Sequence, residues 1–227
     1  MTTDLLAMLQ LADSFFPSGM YTQSHGLERF VERGVRGEAQ LAALFPSYLL
    51  HIAGPADALA ARWVWRAAAQ GDLTLLEQID QRLEATKLAS EPRLASRRCG
   101  GRILQLGPSL FPVGMAARYS TVARQHGLPG HQAIALALLA HDAGLAEEQA
   151  VAVEIHSFVV SLASAAVRLG VIDHIAAQRL ILALRPVATA AAALGRDRNW
   201  RMIGGFAPTI ELMQIQHQYA LNHMFAT

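Results

Sequence analysis

The sequence predicts an all-α fold, a single-domain bundle of about ten helices. Three observations carry this. Apolar residues recur at i, i+3 and i+4 along most of the chain, the spacing of a buried helical face. Runs of alternating β-branched residues, the mark of strands, do not occur. Glycine and proline fall between the periodic stretches rather than within a strand-like repeat.

Thr3 or Asp4 caps a first helix that ends near Ala12. The chain breaks at Asp13-Ser14, and Phe16-Pro17-Ser18-Gly19 reads as a type I turn, since proline presets φ at i+1 and glycine suits i+3. A second helix is predicted from near Tyr21, burying Leu27, Phe30 and Val31, with Glu32 and Arg36 as an i, i+4 pair and Gly34 as its stop. Ala39 to His51 is a third helix, kinked by Pro46, and Gly54-Pro55 starts a fourth that ends near Gly71. Asp72 caps a fifth, with Leu73, Leu76, Ile79 and Leu83 on one stripe. Pro92 sits in the first turn of the next segment or marks a kink in it, and Gly107-Pro108 ends that segment. Helices over Leu110–Arg124 and His131–His141 follow. Glu147 and Glu148 open a long helix to Leu169, where negative charge favours the helix dipole, and Gly170 is its C′ residue. Asp173–Leu184 and Pro186–Leu194 are helical, and Pro208 opens the last helix. The organisation expected is one all-helical domain over 1–227, with a flexible N-terminus (1–3), a loop (195–205) and a C-terminal tail helix (208–227).

Composition narrows the function. The 227 residues are 52% hydrophobic and 16% charged. No run reaches the roughly 18 uncharged apolar residues of a membrane span, so the surplus apolar surface is expected in helix packing or a partner interface. A net charge of +1 gives no bulk attraction to nucleic acid or anionic lipid. Lys87 is the only lysine, and arginine supplies the remaining positive charge. A single cysteine, Cys99, excludes an internal disulfide and fits a reducing cytoplasm. The opening MTTDLLAML lacks a basic start, so no signal peptide is expected.

Catalytic motifs are missing. The phosphate-binding GxxxxGK[ST] needs a lysine after glycine, and Lys87 follows Thr86. HExxH and GxSxG are absent. His126 and His131, like His217 and His223, are spaced too widely to stack two metal ligands on one helical face, so no metal or cofactor is expected. Cys99 reads as a small packed residue. Arg93, Arg97, Arg98 and Arg102 form a basic ridge, either a solvated face or a docking surface for an acidic partner.

The ordered string Phe16-Pro17, Gly19, Ser24, Gly26, Leu27 and Glu28 resembles the N-terminal signature of the F-type urease accessory proteins, the UreF family. Phe16 departs mildly from the aliphatic residue usual before the proline. Three later strings agree in order. Glu91, Arg93, Ser96 and Gly100 match E-x-R-x-x-S-x-x-x-G. Ser161 to Gly170, SLASAAVRLG, is similar to the family's vSAavRL helix, with Arg168 in place. Gln178-Arg179-Leu180 with Leu184 and Pro186 resembles Q-R-L-L-x-x-L-x-P. The C-terminal run places His217 and Phe225 on H-E-x-x-x-x-R-L-F-x-S, but with Gln218 for Glu, His223 for Arg, Met224 for Leu and Thr227 for Ser.

The resemblance implies a non-catalytic cytoplasmic scaffold or chaperone for urease maturation. It would bridge a D/H-type accessory protein and the G-type GTPase on the urease apoprotein, form a homodimer, and leave nickel to the partner complex. Pro17, Gly19, Ser24, Glu28, Arg93, Ser96, Arg97, Arg168, His217, His223 and Phe225 are the expected partner-binding residues. Neither nucleic acid nor membrane is an expected partner. The alternatives are a helical nucleic-acid-binding regulator using the arginine ridge, or a helical enzyme with an unrecognised acid or base such as Glu28 or Glu154.

Overall fold

The computed structural model describes residues 3–219, and these fold into helices joined by turns, with no strand among them. The helices are α1 (Thr3–Ala12), α2 (Leu27–Glu32), α3 (Gly37–Tyr48), α4 (Leu59–Gln70), α5 (Leu73–Thr86), α6 (Ser90–Leu110), α7 (Met115–His126), α8 (Gln132–Asp142), α9 (Glu147–Arg168), α10 (His174–Ala183), α11 (Arg185–Ala193) and α12 (Pro208–His217). Helix α8 is apolar all round, and every residue from Ala133 to Ala140 is buried, as such a helix must be. It centres one core with Leu59, Val64, Ile79 and Ile103. A second core gathers Leu27, Leu41, Phe45, Tyr48 and Leu162. Helix α9 serves both: Ala150 and Val153 pack in the first, Val151, Ile155 and Phe158 in the second. It is long and apolar enough to cross a membrane, but 67% of its most apolar window is buried in the molecule.

Several boundaries behave as the sequence predicts. The Asp72 carboxylate accepts from Leu75 N at 2.9 Å to cap α5, and Asp173 does the same for α10 through Ala176 N at 2.7 Å. Gly170 has φ +68° past the end of α9.

Others differ for identifiable reasons. The turn at Pro17 closes one residue tighter than type I, with Ser18 N donating to Phe16 O at 2.7 Å. Tyr21 lies in a short 3-10 turn, Met20–Thr22, and α2 begins only at Leu27, because His25 and Gly26 both take positive φ. Glu32 pairs with Arg29 rather than Arg36, whose guanidinium donates to the Val31 and Val35 carbonyls beyond the helix end. Gly107-Pro108 lies inside α6, which runs to Leu110, and α7 starts at Met115 rather than Leu110.

The largest difference is at Gly54-Pro55. It does not start a helix; α3 and α4 are joined through a π-helical stretch, Leu49–Ala58. Pro55 has no N–H, so it cannot donate to the His51 carbonyl four residues back. That carbonyl instead accepts from Phe206 N at 2.9 Å, and Pro55 O accepts from Gly204 N at 3.1 Å. The predicted 195–205 loop is therefore fastened onto the wide turn.

Candidate functional site

The strings that carry the resemblance converge. After the Pro17 turn, Gly19 has φ +79°, and a Cβ there would overlap the Arg102 guanidinium of α6. His25, at φ +53°, and Gly26, at φ +79°, then reverse the chain. A non-glycine residue at positive φ is strained, and hydrogen bonds hold this one. The His25 carbonyl accepts from Tyr48 Oη at 2.9 Å and from Gln214 Nε2 at 3.3 Å. Its Nε2 lies 3.1 Å from Ser161 Oγ, which donates to Met20 O at 3.2 Å. The ring is therefore the donor to Ser161. Burial, and then the Lys87 charge, pushes the His25 imidazole down to about 3, so it is neutral.

Helix α6 brings the second string alongside. Gly100 is needed because any Cβ would overlap Gly130 O. One turn earlier, the buried Ser96 hydroxyl lies 3.1 Å from His131 Nδ1, while His131 Nε2 lies 2.8 Å from Glu84. One carboxylate and one hydroxyl suit a neutral imidazole, which donates from one nitrogen and accepts at the other. Burial holds His131 well below the usual histidine range. Beside it, fully buried Asp80 accepts from Tyr119 Oη at 2.7 Å, Gly130 N at 2.6 Å and His131 N at 3.1 Å. Arg93 and Arg97 turn toward Glu84, at 3.8 and 3.5 Å. Arg98 and Arg102 face outward and are exposed. Cys99 is buried, its Sγ accepting from Gln23 Nε2 at 3.0 Å, and burial pushes its thiol up.

The C-terminal string closes the cluster from α12. His217 is 1% exposed, with Nε2 2.8 Å from Glu28 of α2 and Nδ1 2.7 Å from Glu91 of α6. Flanking bonds run from Arg33 to the Gln216 side-chain oxygen at 2.6 Å and from Ser90 to that of Gln218 at 2.6 Å.

A cavity of about 70 Å³ lies beneath, lined by Gln23, His25, Lys87, Ser96, Gln132 and Glu154 among others. Lys87 pairs with Asp57 at 2.7 Å. Glu154 is buried, with the Gln132 amide 3.3–3.4 Å from its two oxygens, and burial followed by the Asp57 charge pushes its carboxyl up to about 8.

Of the residues singled out by sequence, Ser24, Glu28, Ser96 and His217 are thus buried in the chain's own packing. Pro17 is exposed, and Gly19 is buried beneath Arg102. Arg168 is exposed at the C-terminal end of α9, where Nε donates to Ser164 O at 3.3 Å. His223 and Phe225, with Met224 and Thr227, lie outside the described residues. Sequence reasoning did not single out His25 or Glu84, and it weighed His131 only as a metal ligand. His25 stands inside the first string and was the one available signal; the others are ordinary helix-terminal or loop residues until the fold joins them. Among the described residues no three His, Cys, Asp or Glu side chains are grouped to hold a metal.

Comparison with known proteins agrees with the convergent strings. A family model described as UreF matches residues 35–185. The urease accessory protein UreF of Paenarthrobacter aurescens is 30% identical over 221 residues, 97% of this chain and 96% of its own length. That of Corynebacterium efficiens is 31% identical over 224 residues, 98% of this chain and 96% of its own. That of Trichodesmium erythraeum is 27% identical over 225 residues, 99% and 97% respectively.

Proposed function

Because this chain belongs to the UreF family of urease accessory proteins, and so is an accessory protein rather than an enzyme, we propose that it is a scaffold that bridges two other accessory proteins. One is of the D/H type and the other is the G-type GTPase; the assembly delivers nickel to the urease apoprotein, with this chain as a homodimer. Nickel is cargo here, and no resident metal or cofactor is part of the reading.

One observation supports a specific contact surface. The Arg102 guanidinium lies along Gly19, so the exposed Pro17 turn and the outward arginines of α6 share one face. Phe15, 94% exposed, projects from the same turn. An arginine face with an apolar tip suits an acidic partner surface with a hydrophobic recess. In this reading Pro17, Arg98 and Arg102 touch the partner, with Arg93, Arg97 and Arg168 at the rim. Ser24, Glu28, Ser96 and His217 hold the surface in shape from behind. Glu154, despite its raised carboxyl, serves packing.

The test is charge reversal at Arg98 and Arg102 together, read by pull-down of the accessory partners. Both are exposed, so stability should change by no more than about 1 kcal/mol, while capture falls at least tenfold. Unchanged capture would remove this face as the interface. Tight, steeply salt-dependent binding of duplex DNA would favour the nucleic-acid reading instead.

A further inference from the structure

We propose that the cavity bordered by α8, α9 and α12 binds a small ammonium-type cation, with the Glu154 carboxylate as counter-ion and glutamine oxygens as further acceptors. Its volume, about 70 Å³, exceeds what one water needs and suits a small ion with some of its water. The lining is rich in acceptors. Gln23, Gln132 and Gln214 are 3%, 6% and 9% exposed. Each commits its side-chain nitrogen to the protein. Gln23 donates to Cys99 Sγ at 3.0 Å, Gln132 to the Glu154 oxygens at 3.3–3.4 Å, and Gln214 to the His25 carbonyl at 3.3 Å. Their amide oxygens accept no hydrogen bond among the described residues. Nor are these oxygens sealed in, since the sealed side-chain atoms without a partner there are Arg29 Nε and Arg62 Nε. The space the three glutamines share is the cavity, and a buried amide oxygen asks for a donor.

Charge selects the kind of donor. The cavity already takes one ammonium group: Lys87 Nζ lies 2.7 Å from Asp57. Glu154, on the same lining and 4% exposed, has the Gln132 amide and no cation of its own among the described residues. Glu211 of α12 adds a third carboxyl, in no ion pair among those residues. Three acids against one ammonium leave the site short of positive charge. Among the described residues no three His, Cys, Asp or Glu side chains are grouped to hold a metal. N–H donors that reach outward in several directions suit such spread acceptors better. Without a cation Glu154 is a neutral packed acid, its role in the scaffold. On binding, the carboxyl O–H gives its proton to solvent, and ammonium N–H groups take its place at the oxygens.

Binding therefore competes with a proton. Burial, then the Asp57 charge, raises the Glu154 carboxyl to about 8. The other groups around it are Lys87 from the α5–α6 turn, the His25 imidazole, neutral at about 3, and the Cys99 thiol of α6, pushed up by burial. Glu211 borders the cavity from α12, and α8 presents the uncharged Gln132. From α4, Arg62 is turned to Glu147 and Glu148 at the start of α9. The apparent dissociation constant scales inversely with the ionised fraction of Glu154. It should rise about fivefold from pH 8 to 7 and about tenfold more to pH 6.

The test is a titration of the full chain, labelled with nitrogen-15 glutamine, with ammonium chloride against potassium chloride at fixed ionic strength. The side-chain amides of Gln23, Gln132 and Gln214 should shift saturably at pH 8, weaken toward pH 6 by these factors, and not respond to potassium. Glu154→Gln should abolish the response. That variant replaces a buried acid by an amide of the same shape, and an otherwise unchanged spectrum separates lost binding from lost fold. No saturable shift, an equal shift with potassium, a constant independent of pH, or binding retained in Glu154→Gln would each overturn the proposal.

Discussion

At the scale of single residues, buried ionisable groups set how the protein responds to pH. The Glu154 carboxyl is raised from 4.5 to about 8, foremost by burial. The folded chain keeps a proton that the unfolded chain gives up, so stability falls as pH rises from about 4.5 to about 8. Glu154→Gln removes that dependence. It should gain on the order of 4 kcal/mol at pH 8 and almost nothing near pH 4.5, by guanidinium denaturation. An equal gain at both pH values would mean that the carboxyl is not proton-loaded. His25 acts in the opposite sense: held at about 3, it costs stability as pH falls below about 6.5, where the unfolded histidine charges first. Part of this was legible beforehand. The ordered strings pointed to Glu28, Ser96 and His217 as special positions. Their roles were not legible, because His217 meets Glu28 across 189 positions of sequence and Glu91 across 126. Only packing of α12 against α2 and α6 makes them one cluster.

At the scale of elements, local sequence rules succeeded where a side chain or glycine acts on its own backbone. Asp72, Asp173 and Gly170 behave as caps because capping needs only neighbouring residues. Gly54-Pro55 reads locally as a helix start, but the consequence of proline is met from elsewhere: the freed His51 carbonyl is taken by Phe206 N. The close approach depends on Gly205, where a Cβ would overlap the His51 carbonyl and come within 3.0 Å of Ile52 Cα. Gly205→Ala should therefore cost about 1–3 kcal/mol, the range for overpacking. Gly101→Ala, on α6 with open space around its added Cβ, should be neutral or stabilising by up to about 1 kcal/mol, since alanine suits a helix better. Denaturant midpoints of the two variants check the pair. Equal effects would mean that the loop is not fastened at this carbonyl.

For the whole molecule, the helical period and the missing strand pattern were enough to give the fold class, because a helix advertises its buried face within a few residues. The two cores and the sharing of α9 between them were not visible, since Val151 and Val153 look alike in sequence and pack in different clusters. Charge is spent inward as well as outward. Fully buried Arg62 joins α4 to α9 through Glu147 and Glu148, and reaches the Ala192 carbonyl of α11 at 3.1 Å. The basic ridge likewise divides, two arginines turned to Glu84 and two left outside. The most direct test is co-expression with the D/H-type and G-type accessory proteins, followed by size-exclusion chromatography with light scattering. The scaffold reading predicts a co-eluting complex of defined mass containing two copies of this chain. Separate elution of this chain at every salt and nucleotide condition would contradict it.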